Sequence, residues 1–236
     1  MSAQCERSLL RCAARDVAAA VSLFLLGACA SHPPPPDWQL NAKVASDRSV
    51  AAYLTGNARV EAQELERARS EISRTGRVDL LARFELTRCA AQVASLVLEP
   101  CAAFEVVRAE AGAPERAYAN YLAARTSQPD IALLPEAQRA VAAGGRNDAA
   151  NVVALRTIDD PLSRLIAAGV LFEAGRADPQ VIKVAIDAAS SQGWRRPLLA
   201  WLGVELHRAD EAGASNEAQQ LRRRIELVLR AGPAAR

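Results

Sequence analysis

Only two histidines, His32 and His207, occur in the 236 residues. No His-pair zinc motif and no Cys/His cluster can be assembled from them, so no metal and no cofactor is predicted. Serine-centred hydrolysis is excluded in the same way: there is no Gly-x-Ser-x-Gly elbow, and His207 is the one imidazole left to act as a base in the body of the chain. Phosphate-cradling glycine loops are missing too. Aromatic residues are 4% of the chain, and the stretches between prolines and glycines lack β-branched alternation, which excludes a strand-rich fold. Lysine is confined to Lys43 and Lys183. With 29 basic residues against 27 acidic ones, the charge is near balance and no nucleic-acid partner is predicted.

What is present is an address at the N-terminus. Arg7, Arg11 and Arg15 precede the apolar run Val17 to Leu26, whose ten residues match a secretory core and are too few to span a bilayer. Leu26-Gly27-Ala28-Cys29 follows, and it resembles the lipobox of bacterial lipoproteins at all four positions. The resemblance implies that residues 1–28 are a signal peptide, that Cys29 becomes the lipidated N-terminus, and that the chain faces the periplasm from the outer membrane, since no aspartate follows the cysteine. Each buried methylene of such an anchor contributes about 0.8 kcal/mol, so a three-chain anchor is effectively permanent. An ordinary cleaved signal ending at Ala28 is the alternative. Beyond Cys29, Pro33 to Pro36 form a stiff polyproline tether over 29–36, with a rise of about 3.1 Å per residue.

Removing the first 28 residues leaves 208, with 26 basic against 25 acidic side chains. That length suits a single domain, here 37–231, with a disordered tail at 232–236. The composition, rich in alanine, leucine, glutamate and arginine, predicts an all-α fold. Helices are expected from Asp37 to Leu54, from Ala58 to Thr75 and from Val78 to about Ala94. The last is apolar on two sides (Leu80, Phe84 and Ala91 against Leu86, Cys89 and Val93), which places it in the middle of the bundle. Pro114 and Pro135 mark two further helix starts. The next boundary, 144–146, carries Gly144-Gly145, read as a helix stop with a subdomain hinge as the sharper alternative.

Pro161, Pro179 and Pro197 recur every 18 residues and Ser215 falls 18 further on, one helix plus a tight turn each time. Asp160 and Asp178 are the expected caps of the first two helices and Ser215 that of the last. Within this row Leu165, Ala168, Gly169 and Phe172 return 34 residues later as Leu199, Leu202, Gly203 and Leu206. The spacing resembles the first helix of a tetratricopeptide repeat, where glycine lets the paired helix approach. The implied architecture is a set of antiparallel helical hairpins stacked in a tetratricopeptide-like or α-solenoid-like array.

Processing at the lipobox would leave Cys89 and Cys101 as the unmodified pair in an oxidising compartment, which predicts a disulfide between them, two separately buried thiols being the alternative. Bridged Cα atoms lie within about 7 Å. A helix continuing to Leu98 would carry the chain too far, so it must stop near Ala94 or Ser95 and Leu96 to Pro100 must run back.

No motif names a reaction. The Glu-Ser context of lytic transglycosylases is missing, Glu173 being followed by Ala174, and Glu105, Asp187 and Glu205 read as helix-surface residues. The expected function is a binding or assembly module that is not an enzyme, attached to the membrane by its anchor and docking another envelope protein. A cell-wall enzyme with an unrecognised site, or a structural or stress-related lipoprotein, are the competing readings. An open groove lined by aromatic or arginine side chains would favour the module, and a closed cleft of converging carboxylates the enzyme.

Overall fold

A computed structural model describes residues 34–232. The lipobox, Cys29, the tether as far as Pro33 and the last four residues of the tail lie outside the described residues. Pro34 to Pro36 are exposed and without regular structure, and the helices among the described residues belong to the compact unit that starts at Asp37.

The described residues hold α-helices and one 3₁₀ turn, and no strand. The elements are α1 (Asp37–Thr55), α2 (Ala58–Ser73), α3 (Val78–Ala94), α4 (Ala102–Glu105) and α5 (Ala113–Leu122). A 3₁₀ turn (Gln128–Leu133) follows, then α6 (Glu136–Ala143), α7 (Asp148–Arg156), α8 (Pro161–Glu173), α9 (Pro179–Ser191), α10 (Arg195–Glu211) and α11 (Ser215–Arg230). The expectation of an all-α fold holds.

Local chemistry sets most of these boundaries. Asn57 accepts the Val60 N–H at 3.3 Å to start α2, and Asn147 accepts that of Ala150 at 3.0 Å to start α7. The Gly144-Gly145 pair is therefore a stop between two packed helices, with Gly145 at φ 50°. Asp160 and Asp178 cap α8 and α9 as expected, accepting from Ser163 at 2.7 Å and from Gln180 and Val181 at 2.8 and 2.9 Å. The last two starts differ from expectation. Ser215 is the first helical residue after Ala214 and makes no cap bond, while α10 begins two residues before Pro197, at Arg195. Proline is tolerated there because first-turn N–H groups have no intrahelical acceptor.

Helix α3 is the axis of the unit. It packs on α1, α2, α5 and α8, and Ala82, Phe84, Leu86, Cys89, Ala90, Ala91, Val93 and Ala94 are all buried around its circumference. Its one buried charge, Glu85, accepts from Arg69 of α2 at 2.6 and 2.9 Å in a bidentate pair, so the carboxylate keeps hydrogen bonds inside the packing. The helix ends where the cysteine geometry requires. Ser95 is its C-cap, Leu96 adopts φ 58°, and the Leu96 and Val97 N–H groups return to the Val93 and Gln92 carbonyls at 3.0 Å. That is a Schellman closure with leucine in the position usually given to glycine. The left-handed conformation costs roughly 1–2 kcal/mol, offset by Leu96 packing on the core and by the bridge behind it. The disulfide Cys89–Cys101 is formed, with Cα atoms 5.6 Å apart.

The principal core runs through α3, α5, α8, α9 and α10. Trp201, fully buried, donates its indole N–H to the Ala94 carbonyl at 3.1 Å and meets Phe172 edge-on at 5.8 Å. A second, smaller core of Ala42, Ala45, Ala68, Ile72 and Phe84 closes the α1–α2 hairpin on α3. Arg196 of α10 ties that hairpin down, donating to the Tyr53 carbonyl at 2.9 Å with its guanidinium 4.2 Å above the Tyr53 ring. In a one-dimensional array each unit touches only its neighbours. Here α8, α9, α10 and α11 do pack each on the next, but α3 on α8 and α1 on α10 are contacts between distant parts of the chain.

Gly169 is where α8 reaches α3. A Cβ at that position would overlap the Val93 carbonyl and side chain. Gly169→Ala is therefore expected to push the two helices apart and lower stability by about 2 kcal/mol despite alanine's better helix propensity; chemical unfolding measures it, and an unchanged midpoint would show that α8 shifts freely.

Candidate binding groove

One face of α3 is left open between α5 and α8. Arg83, Leu86, Thr87 and Ala90 form its floor. Pro114, Glu115 and Tyr118 of α5 make one wall, Leu162 and Ile166 of α8 the other, and Leu133, Leu134 and Pro135 close one end, enclosing about 460 Å³. That volume lies within the range of ligand clefts, roughly 300–1,000 Å³. The lining is mostly apolar, and its one ion pair is Arg83 with Glu115, Nε and Nη2 both donating to Oε1 at 3.0 and 2.7 Å. Glu115 is buried and Arg83 is largely in solvent, so the guanidinium stands at the rim with its charge half answered.

The walls are held by a polar relay in the core. Tyr118 stacks on Tyr121 with ring centroids 6.2 Å apart. Tyr121 donates its hydroxyl to Gln138 Oε1 at 2.7 Å, and Gln138 Nε2 donates to the Ser163 carbonyl at 3.0 Å. Gln138 is 1% exposed, so α5, α6 and α8 are pinned to one another with no solvent competing. Burial pushes both tyrosine hydroxyls well above their ordinary range, and they stay neutral.

On the far side of Arg83 and Thr87 lies a neighbouring cleft of about 330 Å³ formed with Trp38, Ala42 and Lys43 of α1 and Leu80 and Phe84 of α3. Leu40 and Val44 of α1 are 48% and 45% exposed, one helical turn apart. They do not line this cleft, so the exposed apolar pair lies on another part of α1.

The carboxylates behave differently. Glu99, Glu105 and Glu173 share a cleft of about 260 Å³ beside the disulfide with Arg125. Glu105 accepts from Arg108 at 2.6 and 2.8 Å, and this hydrogen-bonded guanidinium holds its carboxyl below the usual range. It is a paired surface carboxylate, unsuited to donate a proton. Asp187 is exposed, while Glu205 is half-buried with Arg208 at 3.7 Å. His207 is exposed on α10 with Glu211 at 3.2 Å. Among the described residues no group of three or more His, Cys, Asp or Glu is placed to hold a metal ion.

The residues singled out for repeat packing take unequal places. Leu165, Ala168 and Leu202 are fully buried, Leu199, Leu206 and Phe172 are half-buried, and Gly169 meets α3 rather than the following helix. Gly203 has nothing within 4 Å of where a Cβ would stand and opens onto a shallow depression with Phe172, Ile182 and His207. The close approach of helices that the spacing suggested for both glycines is made at Gly169 alone.

Arg83, Thr87, Tyr118, Leu133 and Ile166 were not singled out by any motif. A faint signal existed: α3 is too apolar for one buried stripe, and Leu133-Leu134 stands directly before a helix-starting proline. Fold and groove together define an all-α protein with an apolar cleft edged by one ion pair. Compared with protein-family models, with curated proteins and with solved structures, the chain matches none.

Proposed function

We propose that this chain is a lipid-anchored envelope protein, held to the outer membrane through Cys29, whose helical domain binds an apolar segment of another envelope protein. The observation that carries the binding role is the groove beside α3. It is open, apolar, rimmed by an arginine and backed by tyrosine, and its walls are fixed in advance by the Tyr121–Gln138–Ser163 relay, which reduces the ordering cost of association. The anchoring role rests on the lipobox resemblance, and the tetratricopeptide-like character of α8 to α11 on the 18-residue spacing. A cell-wall enzyme finds less support, since the carboxylates of the cleft beside the disulfide are open to solvent or paired.

Two substitutions test the binding role without touching the core. Leu133, 39% exposed, and Thr87, exposed on the floor, are each to be replaced by arginine. Leu133→Arg and Thr87→Arg are expected to keep the helical circular dichroism and to reduce capture of the partner from detergent-solubilised envelope by about ten-fold or more. Undiminished capture by both variants would move the binding surface elsewhere.

Anchoring has its own test. With Cys29→Ser, metabolic labelling by a palmitate analogue is expected to disappear and the protein to leave the membrane fraction. Label retained on the serine variant would end the lipoprotein reading.

A further inference from the structure

Where α7, α8 and α9 meet, a cleft of about 230 Å³ is lined by Arg156, Arg164, Lys183, Val184 and Asp187. Three cations from three helices thus face one carboxylate in a single recess. None of the four charged groups takes part in an ion pair among the described residues. Two of the cations are held in place by neutral acceptors instead. Arg156 Nη2 donates to Gln180 Oε1 at 3.0 Å. Arg164 donates through both Nε and Nη2 to the Ile158 carbonyl, the former at 3.0 Å. Each guanidinium keeps further N–H groups free.

The neighbouring aspartates do not neutralise the recess. Asp160 accepts through Oδ2 and Asp178 through Oδ1 from the N-terminal amides of α8 and α9, and neither forms an ion pair with a cation of the recess. Asp187, one turn after Lys183, makes no contact with it short enough for an ion pair. Arg156 and Lys183 are exposed and Arg164 half-buried, so their mutual repulsion is screened by solvent on the outer side, and the hydrogen bonds of the two arginines to neutral groups leave what remains of it in place. An anion with several oxygens relieves it. Guanidinium groups suit phosphate oxygens by geometry and the ammonium suits them as a point charge. At this volume the site takes a single oxyanionic group rather than a drug-sized ligand, whose clefts start near ~300 Å³.

We propose that the recess between α7, α8 and α9 is a binding site for a phosphate group, carried either by a soluble ester or by a lipid headgroup. Arg156 and Arg164 bind its oxygens through hydrogen bonds, Lys183 supplies the third charge from α9, Val184 makes the apolar floor, and Asp187 weakens the site. The site is separate from the groove beside α3 and does not depend on the binding role proposed for it.

The test is isothermal titration of the full chain in neutral-detergent micelles with inorganic phosphate, against sodium chloride at equal ionic strength. Saturable binding specific to phosphate is expected, weakened about ten-fold in Arg156→Gln and in Lys183→Gln. Asp187→Asn is expected to tighten it roughly three-fold by removing the one opposing charge. A damaged fold does not bind more tightly, so that gain separates the site from a general loss of structure. A phosphate isotherm matching chloride, or affinities unchanged in Lys183→Gln and Asp187→Asn, would overturn the proposal. A second arm assigns the source, using glycerol phosphate and micelles doped with phosphatidylglycerol. Dependence on Lys183 in the doped micelles marks a headgroup site, dependence with glycerol phosphate alone marks a soluble ester, and dependence in neither overturns both.

Discussion

Trp201→Ala is expected to destabilise the domain by about 3–5 kcal/mol, the usual cost of removing a large aromatic side chain from a core. Three separate losses add up there. The indole is fully enclosed, so truncation leaves a cavity between α10 and the end of α3. The Ala94 carbonyl loses its indole donor at the last turn of α3, where carbonyls have no intrahelical partner to fall back on. Phe172 loses the edge contact that orders it on α8. For a domain of this size the loss corresponds to a fall of roughly 10 °C in Tm. Thermal and urea unfolding measure it. A change below about 1 kcal/mol would mean that α3 and α10 close over the space, and that the core is less fixed than its burial indicates. Trp201→Phe separates the terms, since it keeps most of the volume and removes only the indole donor.

Removing the disulfide, by Cys89→Ala together with Cys101→Ala, is expected to cost about 3 kcal/mol, the chain-entropy value for a closed loop of this length. That value comes from the unfolded chain, which gains freedom. Local effects modify it. Leu96 is held left-handed at the turn that the bridge closes, and Leu98 packs beside it on the core, so in an uncrosslinked segment relaxation of Leu96 reduces the cost while uncovering of Leu98 raises it. Urea unfolding of the double variant against the parent gives the total, and alkylation of the parent without reductant gives the bridge itself. Modification of both thiols in denaturant would show that the bridge is absent, whatever the stabilities.

The disulfide was legible in the sequence because it rests on counting and on reach: two thiols, and a helix that must stop for them to meet. Helix starts at Asp160 and Asp178 were legible for a similar reason, each resting on hydrogen bonds made within four consecutive residues. Ser215 failed as a cap because a serine in the first turn and a serine at the cap look the same in sequence, and neighbouring packing decides between them. The groove was hidden for a different reason. Its floor comes from α3 and its walls from residues some thirty to eighty positions later, and no periodicity within one helix tells which distant helix will leave a gap. The two glycines 34 residues apart show the same limit, since a repeat in spacing specified the helices and not their neighbours. The short α4 and the 3₁₀ turn carry too few residues for periodicity to register.

The hydrogen bond from Arg196 to Tyr53 spans 143 residues of sequence, and that distance sets an order of events as the chain folds. Helices α1 and α2 form a hairpin that closes on α3 through the core around Ala42 and Ile72, and α8 to α11 meet through short turns, so each part can associate as soon as it exists. What waits is the seam between them, where α1 meets α10. Each doubling of the loop to be closed adds about 0.6 kcal/mol of entropy to overcome, so this seam is the last to close. Until then Leu54, which clusters with Ala91 but also with Leu162 and Trp194, is only partly covered on the nascent chain, and that side of the hairpin stays open to other chains until α10 has been made.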